Sequence, residues 1–353
     1  MNENNCQELT DLLKGQPLEA FDVREYVFAQ VEEDIRHDIC LYDSCDGCGK
    51  FLIKTAIGKK WASGIDYDYD ASYFANLIYK AAFFPSGDIT PFDSSKYEYY
   101  ISVHDRCFRG DTMNSWNTTL IEYFRLFGDQ HLKYLTKNKK GRNKGKWRIP
   151  DACPEELAKD FGANWSYVGW MDFLSIPEVY AGHPIPPYIS DFMKVVYTVG
   201  NFIPVPFIPG PKGFNFNVCR SRLCHDYWDL TLLAIYRHYE KNDEDNSEGW
   251  RGLLSREGVK RWLDSYESWD AFVEGNFLQE FVNLEGNGYG KPKELWKGHF
   301  TSSVLPEEEG QFAEFFTNAA DWITARGTRI AVALAKSLGS AEEQESDAGE
   351  GSI

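Results

Sequence analysis

Arg220 and His225 bracket the segment Arg220-Ser-Arg-Leu-Cys-His225. This is the arginine-x4-histidine spacing of metal-independent endoribonucleases built on paired helices. In such a site the histidine would take the proton of a ribose 2′-hydroxyl. The arginine would stabilise the charge of a phosphorane-like transition state. A six-residue match arises easily by chance, and the alternative is structural: Arg220 ties down the preceding loop through backbone carbonyls, and His225 is an ordinary surface residue. Two further constellations carry possible chemistry. His37, Cys40, Cys45 and Cys48 follow one another at spacings of two, four and two residues, and Cys45-Asp-Gly-Cys48-Gly resembles a zinc knuckle. Two thiolates across a tight turn can grip a tetrahedral ion, with glycine letting the backbone fold around it. Zinc is therefore the candidate cofactor, against the alternative of scattered reduced thiols.

The third constellation is electrostatic. Between Gln130 and Pro150 the chain holds Lys133, Lys137, Lys139, Lys140, Arg142, Lys144, Lys146 and Arg148 and no acidic residue, in a protein of formal net charge −17. Local positive charge of this kind suits RNA, DNA or another polyanion, because phosphate contacts need charge but no fixed geometry. Gly141 and Gly145 keep the loop pliable, and Trp147 offers a ring on which an unpaired base could stack. A solvated connecting loop is the competing reading.

Other motifs fail on inspection. Asp66, Asp68 and Asp70 imitate the start of a calcium loop, but Ala71 stands where its glycine belongs and Leu77 where its glutamate belongs. HExxH, GxSxG and phosphate-binding glycine loops are missing from the sequence. Asp226 and Asp229 flank Trp228 and could do acid–base work, yet acids that pin a helix start are the commoner case.

The elements that would position these residues follow from periodicity. Trp228, Leu232, Ile235 and Tyr239 form one stripe of a core helix expected over 223–239. Two shorter helices are expected over 255–265 and 268–282. A long one should run from Glu309 to Leu338, with Phe312, Phe316, Ile323, Ile330 and Leu334 inward and Gly339 as its stop. Another should begin near Asp111, and a short one should lie around 190–199. Residues 51–57 and 97–103 are strand candidates, while 71–84 has helical spacing. The Pro- and Gly-rich stretch 176–213 otherwise reads as irregular.

Composition bounds the class. With 11 Trp, 20 Tyr and 24 Phe in 353 residues, the core should be built mainly from rings. No run approaches the ~20 apolar residues of a membrane span, Met1–Gln7 lacks the order of a signal peptide, and the cysteines are sparse. The expectation is a cytoplasmic protein with no membrane partner. The fold expected is α+β and predominantly α-helical, an aromatic helical core with a small N-terminal sheet. Residues 1–338 should form one domain, softest at 133–150, and 339–353 a disordered acidic tail.

A resemblance adds to this reading. Val196-Tyr-Thr-Val-Gly200, Phe214-Asn-Phe-Asn217 with Arg220, Asp226-Tyr-Trp-Asp-Leu-Thr-Leu232 through Arg237-His-Tyr239, Phe272 to Phe281, and Ala325-Arg326-Gly-Thr-Arg329-Ile330 together are similar to an uncharacterised bacterial protein family. The likeness extends loosely from about Phe21 to Ala333. It implies a bacterial cytoplasmic origin and one folded unit, and assigns no reaction. The functional expectation is a binding protein whose basic loop contacts nucleic acid or another polyanion. The alternative is an endoribonuclease using Arg220 and His225.

Overall fold

The computed structural model describes residues 185–349 apart from 197, 209–212 and 226. It also describes the shorter stretches 83–84, 88–89, 101–103, 106–114, 119–120, 122–123, 126–127, 136–137 and 147–148. The chain is mixed α+β and mostly helical. Among the described residues the largest sheet has five strands in the order β1 (Asp88–Ile89), β2 (Ile101–Val103), β3 (Arg106–Thr112), β6 (Phe202–Ile208), β7 (Phe214–Asn215), every neighbouring pair antiparallel. β2 falls within the strand expected over 97–103. The strand candidate at 51–57 lies outside the described residues, as does all but the end of the helix expected at 71–84.

Two corrections concern this sheet. It is not purely N-terminal, because β6 and β7 come from the middle of the chain. β6 also contains Pro204 and Pro206, which had marked the segment as irregular. Side chains and backbone groups alternate along a strand, so prolines two residues apart direct both missing donors to the same edge. β7 pairs with Phe207 and Ile208, so among the described residues no strand pairs with that edge of 202–206 and it can take them. The other edge pairs with β3 throughout, from Phe108↔Pro206 to Thr112↔Phe202. Likewise the segment after Asp111 is not helical at once. β3 runs through Thr112, and helical residues are described from Thr119 onward.

The helices follow: α1 (Pro187–Val195), α2 (Phe216–Cys224), α3 (Trp228–Tyr239), α4 (Glu248–Leu254), α5 (Glu257–Leu263), α6 (Trp269–Gly275) and α7 (Glu309–Gly349). A small hairpin, β8 (Val282–Glu285) with β9 (Gly288–Pro292), lies between α6 and α7. The side chains of Asn215, Ser247 and Ser268 cap α2, α4 and α6 by accepting from the backbone N–H three residues on. The helix expected over 223–239 is two helices, broken at His225, whose φ of 52° is unusual for a residue with a Cβ. Gly339 does not stop α7. A single helical glycine costs only about 1 kcal/mol, and Ala341, Glu342, Glu343 and Gln344 beyond it are good helix formers.

The core is aromatic, as composition implies. Trp228, Leu232 and Ile235 are buried on α3, and Trp262, Leu263, Trp269 and Phe272 on α5 and α6. Their rings meet edge-on or offset, with Phe216–Trp262 at 5.5 Å, Trp262–Phe272 at 5.3 Å and Trp269–Phe272 at 5.8 Å between centroids. Phe312, Phe316, Ile323 and Ile330 of α7 face inward. Among the described residues no helix is long and apolar enough to cross a membrane.

Candidate functional site

Arg220 lies in the interior. It sits on α2 with no exposure, opposite Asp111 of β3, which is equally buried. Its Nε and Nη2 donate to Asp111 Oδ2 at 3.2 and 2.9 Å. Its Nη1 reaches the backbone carbonyl of His225 at 3.4 Å, and the guanidinium lies 5.1 Å from the ring centre of Trp228. The sequence therefore offers Arg220 a polar anchor 109 residues away, in a strand that the periodicity did not reveal. The unusual backbone at His225 has a structural consequence in the same place: its carbonyl accepts from both Arg220 and the Cys224 thiol. The His225 side chain itself is exposed. Arg220 presents no surface to a phosphate, and what connects it to residue 225 is the main-chain carbonyl. The arginine has a structural role, but its partners are the Asp111 carboxylate and one carbonyl that follows it in the chain, where the structural alternative had placed the preceding loop.

A second buried polar pair was not foreseen. Asp229, in the first turn of α3, accepts from Leu230 N at 2.8 Å, from Leu295 N at 2.9 Å and from His299 Nδ1 at 2.5 Å. His299 is buried, stacked on Trp296 with centroids 3.5 Å apart, and edge-on to Tyr227 at 5.1 Å. A carboxylate that fixes Nδ1 leaves Nε2 free to act as a base, which is the logic of acid–histidine pairs in hydrolases. Here Nε2 is buried and has no hydrogen-bond partner among the described residues, and its burial closes it to a substrate in this conformation. Asp229 pins the start of α3 and joins it to the segment before α7. Its expected companion Asp226 lies outside the described residues. His299 carries no motif, and only its closeness in space to Asp229, 70 positions earlier, gives it a role.

Arg326 of α7 is the third such anchor. Fully buried, it donates through Nη1 to the carbonyls of Gly200 and Phe202, both at 2.7 Å, and through Nε and Nη2 to the carbonyl of Asn276 at 3.2 and 3.1 Å. It thereby ties α7 to the start of β6 and to the end of α6. The segments that carry the resemblance thus hold two buried arginines that join distant elements.

Two short strands within the basic segment pair with each other. β4 (Thr136–Lys137) pairs antiparallel with β5 (Trp147–Arg148), so that Lys137 stands opposite Trp147 and Thr136 opposite Arg148. Residues 138–146, with Lys139, Lys140, Arg142, Lys144 and Lys146, form the connection; they and Lys133 lie outside the described residues. His37, Cys40, Cys45 and Cys48 lie outside them too. Among the described residues no group of three or more His, Cys, Asp or Glu side chains is placed to hold a metal ion.

Residues 176–330 match the model of a family of unknown function (DUF6994). The match spans Arg220, Asp229, His299 and Arg326. It begins well after Phe21, where the looser resemblance begins, and leaves out the basic hairpin. It brings no assigned chemistry. Comparison with curated proteins finds no match, and comparison with solved structures finds none.

Proposed function

We propose that this chain is a binding protein that contacts a polyanion, with single-stranded nucleic acid as the form to test, through its basic hairpin. The supporting observation is the pairing of β4 with β5. It brings Lys137 opposite Trp147 in the register, and the sequence supplies five more cations between the two strands. A ring and a cation at paired positions of one ladder would suit a single nucleotide. A base stacking on the ring would leave its phosphate within reach of the lysine. Stacking contributes about 1–3 kcal/mol per base, and the lysines and arginines would add a salt-dependent attraction. The hydrolase reading lacks comparable support, since Arg220 is enclosed and held by Asp111.

The test is binding of single-stranded RNA and DNA measured across a salt series. Changing Lys139, Lys140, Arg142 and Lys144 to Ser should weaken binding and flatten its salt dependence. Trp147→Ala should weaken it at an unchanged salt slope. Intact protein with no affinity at ~50 mM salt, where phosphate contacts are strongest, would refute the reading.

A further inference from the structure

A cleft of about 500 Å3 opens between the end of α3, the turn leading into α6, and the β8–β9 hairpin. Its size is that of a small-ligand site. Four aromatic side chains line it. Trp269 is buried, with its indole N–H donated to the Gly290 carbonyl at 3.0 Å. Tyr236 meets it edge-on at 5.4 Å, and Tyr239 lies 6.3 Å from it. Tyr239 is itself held by a 2.8 Å bond from its hydroxyl to Leu263 O, and Tyr289 completes the set.

The charged residues in the lining are all acidic: Glu240, Glu267, Asp270 and Glu285. Each is exposed, and none forms an ion pair with a described residue. Among the described residues Asp270 alone of the four has a fixed polar contact, accepting from Tyr289 N at 2.9 Å. The hairpin is shaped around two of the carboxylates. A Cβ at Gly288 would stand 2.6 Å from Asp270 Oδ2, and one at Gly290 would stand 2.7 Å from Glu285 Oε2. The Tyr236 phenol is pushed above its ordinary pKa by burial and then by the carboxylates of Glu240 and Glu285, so both acids act at the aromatic wall.

We propose that this cleft binds a small linear organic polycation of the polyamine type. Aromatic faces attract ammonium groups and the methylenes between them, and the carboxylates supply the complementary charge. The acids come from three separate elements and do not converge as a metal-binding group. A set too dispersed for one ion suits charges spread along a flexible chain. This site is distinct from the basic hairpin and selects the opposite charge.

Calorimetric titration of the full chain with spermidine at ~50 mM salt tests the assignment. One site per chain is expected, weakened by roughly tenfold in Glu240→Gln/Glu285→Gln and by roughly threefold in Tyr236→Leu. Glu307→Gln/Glu308→Gln, also exposed but outside the cleft, should bind as the parent does. The proposal fails if spermidine produces no saturable binding, or if the two double variants lose affinity equally. It fails if Tyr236→Leu binds as the parent does, or if magnesium at matched charge displaces spermidine, because an acidic surface alone would then explain the result. It also fails if a short Arg/Lys peptide saturates the site and spermidine does not, which would make the ligand a protein segment.

Discussion

Replacing Arg220 by Met separates a structural arginine from one that acts at the surface. Arg220 and Asp111 are both buried, joined at 2.9 and 3.2 Å. Removing the guanidinium leaves a carboxylate in the interior without its countercharge, at a cost of about 3–5 kcal/mol. The His225 carbonyl loses a donor as well, worth about 1 kcal/mol. Met fills much of the volume of the arginine stem, so the loss reports on charge rather than on a cavity. Adding Asp111→Asn removes the stranded charge. The double variant should therefore be more stable than the sum of the single effects predicts, with a coupling of about 2–3 kcal/mol. Urea unfolding followed by tryptophan fluorescence measures all four proteins, and the comparison holds while their m values agree. On heating, Arg220→Met should melt roughly 4–7 °C below the parent. A loss under about 1 kcal/mol, or an additive cycle, would show that Arg220 is solvated and would refute the anchoring argument.

Two more outcomes are expected. A Cβ at Gly200 would overlap the Ile323 carbonyl oxygen and stand 2.8 Å from Gly327 N; Gly200→Ala should lower stability by at least about 2 kcal/mol in chemical denaturation, and an unchanged midpoint would mean that α7 does not close on the turn before β6. Burial pushes the Tyr239 phenol well above its ordinary pKa, so the folded state holds a proton that the unfolded chain releases above pH ~10. The phenol's contribution is therefore complete below that pH and falls as pH rises. Tyr239→Phe should cost about 1 kcal/mol at pH 8 for the lost bond to Leu263, and the gap should narrow in melts near pH 11; a constant or widening gap would contradict the assignment.

The sequence determined the parts that depend on local repetition. The stripe Trp228, Leu232, Ile235 and the inward positions Phe312, Phe316, Ile323 and Ile330 were legible because an amphipathic helix writes its buried face every three or four residues. The aromatic count likewise foretold a core of rings. Periodicity failed where a tertiary contact overrides local preference. β6 forms through prolines because β3 supplies its ladder on one edge, and the break at His225 turns a carbonyl toward Arg220. α7 runs on beyond Gly339 because neighbouring propensities outweigh one glycine.

The candidate sites divide in the same way. The basic run was visible as composition, and its pairing with Trp147 follows from closing a short hairpin. The roles of Arg220, Asp229 and Arg326 were not visible, because a charged side chain has the same letter whether solvated or enclosed. What decides is a partner far along the chain: Asp111 for Arg220, His299 for Asp229, and the carbonyls of Gly200, Phe202 and Asn276 for Arg326. The acidic cleft needed three elements brought together before its carboxylates shared one aromatic wall. Only folding sets the distances and the exclusion of water that turn a charge into an anchor or a binding site, because electrostatic energy depends on both and neither is written in spacing.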